Sequence, residues 1–273
     1  MRIIIPVVGL CGLFWSVSPA QSWRCGPEIT LAPPVRWEVD KLGQVVIYNN
    51  KEIIKITSAD TLFNRFSQMS LGPIHTIDVT NPMKILVFYK DAGRIVFLDN
   101  TLSPNGQIVD LIALGYDQAE LACTSFDNGL WIYDRLNFRL LRFNSNMQVT
   151  VEVPNLNQVL GGRAKDSLSF CRLSESNNRV YLQSSSGDVL VFDVYGTLLT
   201  NLQCPVPCQC RSHELGLQYV LEGQRYLQPL KPASPAKRIA EPKNFPYHFL
   251  DWLDSNKILC RSEESKYRVC RLD

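Results

Sequence analysis

Two His-x-x-Asp elements, His75/Asp78 and His248/Asp251, are the first groups in this chain whose types and spacing could do chemistry. Two imidazoles and two carboxylates in one place could bind a divalent cation or act as acid and base. A structural role competes with this. Residues three apart on a strand point to opposite faces, so one His and its own Asp cannot easily share a ligand. Polar groups that recur at one point of a repeat commonly satisfy backbone groups instead. Ala122 and Arg172 stand near the aligned Asp position in two other units, so no ring of carboxylates forms.

A second cluster is Cys204-Pro-Val-Pro-Cys208-Gln-Cys210-Arg-Ser-His213. Three Cys and a His could complete a zinc site, but this spacing matches no familiar finger. Pairing of the thiols is the expected use, either Cys204 with Cys208 or Cys210, or with Cys260. Cys123 and Cys171 fall on candidate strands of neighbouring units, where they are bridged or simply buried. Among the aromatics, Phe245 and Tyr247 flank Pro246 after a loop and are the best placed to meet a partner. The residues Trp23, Trp37, Trp131, Trp252 and Tyr226 fit packing between units better. The chain has no G-x-S-x-G, H-E-x-x-H, P-loop or calcium-loop pattern. Its three histidines are His75, His213 and His248. No catalytic residue, metal or cofactor is expected.

These groups must be positioned by hairpins. In Lys84–Asn100 an apolar run, Leu86-Val87-Phe88-Tyr89, meets the polar break Lys90-Asp91-Ala92-Gly93 and returns as Ile95-Val96-Phe97-Leu98. Apolar, β-branched and aromatic runs around turn-tolerant residues mark a β-hairpin. The hairpin recurs at Val45–Ile56, Leu130–Asn144, Val180–Asp193, Leu217–Leu230 and Lys257–Asp273, with starts about 37 to 50 residues apart. A period near 40 of strand character is the signature of a β-propeller with four strands per blade. Ile74–Asn100 and Tyr247–Asp273 match best: His75 aligns with His248, Asp78 with Asp251, and Lys-Ile-Leu with Lys-Ile-Leu.

The expected fold is therefore all-β, a single β-propeller over 21–273 of about six four-stranded blades, or five if the Cys- and Pro-rich fifth unit is not a blade. Pro229 to Pro246 reads as a loop. The last unit ends without an outer strand, and a propeller must cover its edges to close. Pro27–Ala32 is an otherwise unused strand. It is expected beside Tyr267–Leu272, which would bring Cys25 to Cys270 for a disulfide.

Residues 1–20 read as an export signal: Arg2, an apolar run from Ile3 to Val17, and Ser18-Pro19-Ala20 for cleavage. A membrane anchor is the alternative, but a run of about 15 residues spans about 22 Å as a helix, short of the ~30 Å hydrocarbon core. No later stretch is long enough to span a bilayer. Loss of this segment removes Cys11 and leaves eight cysteines, an even number suited to disulfides in the periplasm or outside the cell. A hydrophobic fraction of 45%, a charged fraction of 20% and a net charge of +2 without a basic run are those of a globular protein and argue against a nucleic-acid surface.

The hairpin wording, above all Phe88-Tyr89-Lys90-Asp91 followed by Ile95-Val96-Phe97-Leu98-Asp99-Asn100-Thr101-Leu102-Ser103, resembles a group of uncharacterised exported β-propeller-like proteins of Bacteroidota-type bacteria. The resemblance covers most of the chain after the signal and supplies no site residues. It implies an accessory role in the cell envelope. The expected function is a non-enzymatic scaffold in the periplasm or at the outer membrane, monomeric within a complex with a protein partner. The alternative is a propeller enzyme or lectin for glycans or lactones, with its site in the channel around Asp78 and Asp251.

Overall fold

A computed structural model describes residues 22–56, 63–161, 169–213, 215–231, 234–239, 248–253 and 256–272. The expected signal at 1–20, and Phe245 and Tyr247, lie outside these described residues.

The strands form six antiparallel sheets, each a blade. Blade one is Arg36–Val39, Val45–Tyr48, Ile53–Ile56 and Phe63–Phe66. Blade two is Thr76–Asp78, Ile85–Tyr89, Arg94–Leu98 and Val109–Asp110. Blade three is Ala119–Thr124, Leu130–Asp134, Arg139–Phe143 and Val149–Val153, and blade four Phe170–Ser176, Arg179–Ser184, Asp188–Asp193 and Leu198–Gln203. Blade five is Arg211–His213, Gly216–Leu221, Gln224–Pro229 and Lys237–Arg238. Blade six is His248–Trp252, Lys257–Glu263 and Lys266–Leu272. The fifth unit is thus a blade. Its outer strand, Lys237–Arg238, lies inside the stretch read from sequence as a loop. Two residues are too few to leave a periodic pattern.

The middle strands explain the arrangement. Ile85–Tyr89 and Leu130–Asp134 are buried at every position. Runs without alternation belong to sheets covered on both faces. The apolar clusters accordingly lie between neighbouring blades. One joins blades three and four through Trp131, Tyr133, Phe170 and Phe192, and another joins blades one and two through Tyr48, Ile53, Val87 and Tyr89. The smallest holds Ile258, Cys260 and Cys270 of blade six against Val220 of blade five.

One turn recurs four times. Asp40, Asp99, Asn144 and Asp193 each accept, on Oδ1, the backbone N–H groups of the residues two and four positions later, at 2.8–3.0 Å. The residue three positions later has positive φ each time: Gly43, Leu102, Met147 and Gly196. At Gly196 a Cβ would also stand 2.7 Å from a Val153 methyl and 2.8 Å from one of Val151, so glycine is required there by contact as well as by φ.

Blade six is completed from the other end of the chain. Trp23–Cys25 pairs with Leu272–Cys270, and Ile29–Thr30 pairs with Tyr267–Lys266. The outer strand thus begins earlier than Pro27 and is interrupted at Gly26–Glu28. A disulfide joins Cys25 to Cys270. Two more, Cys171–Cys208 and Cys204–Cys210, tie the segment between blades four and five. Cys208 therefore pairs with Cys171 and not with Cys204. Cys260 stands outside all three bridges. It is buried between blades, opposite Arg268 and Phe249 in register, where it packs as a small apolar residue. All three cysteines of the Cys204–Cys210 segment are oxidised, which leaves it no thiolate for zinc.

Replacing Cys25 and Cys270 by serine is expected to lower stability by about 5 kcal/mol in the chain-entropy limit, and replacing Cys204 and Cys210 by about 2 kcal/mol. The first bridge closes a separation of 245 residues and the second only 6. Urea unfolding of the two double variants measures both losses. Equal losses would refute the closure role.

Candidate functional site

The inner strands of the blades line a central cavity of about 740 Å³. Period-2 alternation places Arg36 and Glu38 on the same side of blade one, and both line this cavity. Arg172 of blade four, on the opposite side of the six-membered ring, reaches Glu38 with both ends of its guanidinium. Its Nη1 lies 2.6 Å from Oε1 and its Nη2 donates to Oε2 at 2.7 Å. This bidentate pair spans the channel. Arg36 donates to the backbone carbonyls of His75 and Ile74 and stacks 4.6 Å above the Tyr48 ring. Arg211 of blade five donates to the Trp37 carbonyl at 3.1 Å and lies 3.8 Å from the Asp251 carboxylate.

Burial by itself would raise the Glu38 pKa, but Arg172, Arg211 and Arg36 outweigh it and hold the carboxyl below its ordinary 4.5. Arg172 is raised in turn: burial opposes its charge, and Glu38 more than compensates. The same positive field reaches His75, whose pKa is lowered first by burial and then by Lys90 and Arg36.

The two Asp residues singled out by sequence bind protein groups. Asp78 Oδ1 accepts the Thr80 amide at 2.9 Å and its hydroxyl at 2.6 Å; Oδ2 accepts the Thr124 amide at 2.7 Å and hydroxyl at 2.5 Å. The carboxylate thus fastens blade two to blade three. Asp251 accepts the Trp37 indole N–H at 3.0 Å, which fastens blade six to blade one. His75 is half-buried, its ring edge-on to Phe88 at 6.0 Å between centroids. His248 opens the inner strand of blade six, and its side chain is outside the described residues. Among the described residues no three His, Cys, Asp or Glu side chains converge as metal ligands would.

Sequence reasoning passed over Arg36, Glu38 and Arg211, and took Arg172 only as a break in the Asp pattern. Arg36-Trp37-Glu38-Val39 carried a usable signal, charges alternating with apolar residues on an inner strand. Glu175 was also missed. It accepts the Phe126 amide at 2.8 Å, the Ser125 hydroxyl at 3.2 Å and the Trp131 indole at 2.6 Å, and so fastens blade four to blade three. Burial raises its pKa, which those bonds only partly offset. Burial, then the charges of Asp78 and Glu175, push the Cys123 thiol well above its ordinary value, so it is no reactive nucleophile.

This geometry defines the class, a six-bladed β-propeller whose inner strands carry an arginine-lined channel. No protein-family model matches the chain, and no curated protein matches it by sequence. Solved propellers match it in structure. Virginiamycin B lyase from Staphylococcus aureus is 15% identical over 89% of this chain and 83% of its own, with a TM-score of 0.51. The Neurospora crassa Pan2 WD40 domain is 9% identical over 91% and 95%, with a TM-score of 0.53. The Myceliophteria thermophila Cps50 (Swd1) β-propeller domain is 7% identical over 92% and 100%, with a TM-score of 0.56. At these identities the likeness is one of fold.

Asp78→Asn is expected to lower stability by about 2 kcal/mol, because a buried, charge-assisted acceptor of four bonds becomes a neutral amide. Urea unfolding reads this, and no loss would remove the clamp. Glu38 gives a pH test. Its folded pKa lies below 4.5, so its stabilisation is full above that pH and is lost as pH falls through the folded value. The acid-side decline of the unfolding midpoint is expected to be shallower in Glu38→Gln than in the parent, and identical profiles would count against the pair.

Proposed function

We propose that this chain is a non-enzymatic scaffold of a bacterial cell envelope, exported with loss of residues 1–20 and acting in the periplasm or at the outer membrane on a protein partner. The observation that carries this reading is the use made of the inner-strand carboxylates. Asp78 and Asp251 hold blades together and Glu38 is bound by Arg172, so the acids a channel chemistry would draw on serve the framework. That weighs against the glycan- or lactone-directed enzyme, which needs Asp78 and Asp251 available.

The surface supports a protein partner. Met83, Ile108 and Leu114 are exposed, and the last two line a groove of about 640 Å³ beside blade two. Leu198, Leu199 and Tyr195 are exposed at the outer side of blade four. Exposed apolar side chains of this kind suit contact with another protein. Three disulfides suit an oxidising compartment. Among the described residues no helix is long and apolar enough to cross a membrane.

Mild crosslinking of the tagged protein in its own cells, followed by capture and mass spectrometry, is expected to return one abundant envelope protein and a mature N-terminus at Gln21. A reproducibly partnerless protein would overturn the scaffold reading, and an intact Met1 would overturn export by cleavage.

A further inference from the structure

The channel holds more cationic hydrogen-bonding capacity than the framework uses. Arg36, Arg172 and Arg211 all act on Glu38, and Asp251 provides the only other carboxylate that an ion pair places beside them among the described residues. Counted over the residues that line the cavity, Arg36, Lys41, Arg172, Arg211 and Arg225 stand against Glu38, Asp40 and Asp78, five positive charges to three negative. Asp40 is paired with Lys55 at 3.3 Å, and Asp78 is held by two threonines that bind its charge without cancelling it.

Donors are in excess as well. Nη1 of Arg211, Nε of Arg172 and the Thr76 hydroxyl are buried, belong to residues that line this one cavity, and have no hydrogen-bond partner among the described residues. Buried donors of this kind are ordinarily satisfied, and charged ones most strongly. An acceptor that carries negative charge is the match for such donors. Its shape is set by what the channel already holds. Arg172 takes Glu38 fork to fork, the geometry that matches a planar carboxylate.

We propose that the channel is a carboxylate-binding site that takes an incoming carboxylate on Arg211 and Arg172, with Glu38 as its internal competitor. The carboxylate belongs either to a free dicarboxylic acid or to an acidic segment of a protein. In the second case the inference rests on the scaffold reading and specifies how the partner is gripped.

Calorimetric titration of the whole mature protein tests this at low and high ionic strength. The probes are succinate, a short peptide with two glutamates, its glutamine counterpart, and inorganic phosphate. Succinate or the glutamate peptide is expected to bind, and more weakly in high salt. Glu38→Gln is expected to tighten binding about tenfold and Arg211→Gln to weaken it about tenfold, the scale of one charge-assisted bond. The gain in Glu38→Gln is the safeguard, since a variant that merely misfolds does not bind better. Succinate binding as well as the peptide assigns the free acid, and the glutamate peptide alone binding assigns a protein segment. The proposal is overturned if neither probe binds the parent or Glu38→Gln, if Glu38→Gln binds no better than the parent, or if the glutamine peptide or phosphate binds as well as its carboxylate rival. The titration contains no partner, so its failure is distinct from failure of the capture experiment.

Discussion

The middle strands of blades one to four are buried on both faces, and the rest of the structure answers to that. A sheet whose middle strands are wholly buried, such as Ile85–Tyr89 or Leu130–Asp134, needs a neighbour on each side. A row of six such sheets would leave two faces bare, whereas a ring leaves none. The ring then dictates where charge can go. Polar side chains collect along the inner strands and the turns, and several charged ones caught between blades are paired. Lys55 and Asp40, both almost fully buried, are the clearest instance. Arg142 is another, bound to the Asp127 carboxylate and the Val194 carbonyl.

Three carboxylates on the inner strands show how differently one chemical group behaves within this frame. Asp78 is surrounded by neutral donors from two threonines and acts as a fastener. Glu175 has neutral donors too, but burial dominates and its charge is disfavoured. Glu38 faces three guanidiniums, and its charge is favoured despite burial. Solvent exclusion decides the outcome at Glu175 and neighbouring charge decides it at Glu38. The Glu38 neighbourhood leaves cationic donors of both Arg172 and Arg211 without a partner among the described residues.

The sequence disclosed the parts of this structure that rest on local pattern. Continuous apolar runs such as Leu86–Tyr89 and Ile95–Leu98 announce strands covered on both faces, and their spacing announces a propeller. The recurring turn was equally legible and went unread: Asp40-Lys-Leu-Gly43, Asp99-Asn-Thr-Leu102, Asn144-Ser-Asn-Met147 and Asp193-Val-Tyr-Gly196 share one hydrogen-bond plan. Contacts made across the ring were beyond reach. Glu38 and Arg172 are 134 positions apart, and nothing in either stretch says that their blades face each other. The same limit hid the Cys171–Cys208 bridge, whose partners meet only because blade five follows blade four around the axis.

The closure of blade six also fixes an order of events in time. Trp23–Thr30 is made well before its partners, Lys266–Leu272. Five blades can assemble from neighbours in sequence while this segment waits with its backbone groups unmatched. Contacts so distant along a chain form slowly, because most of the loop must be ordered before they yield any return. The protein therefore has a late step that is separate from the making of its blades. Until that step, both ends of the ring present open strand edges, which are surfaces on which a second copy could pair. Once it occurs, the bridge from Cys25 to Cys270 makes the encounter covalent, and the two strands can no longer drift apart while the disulfide stays oxidised.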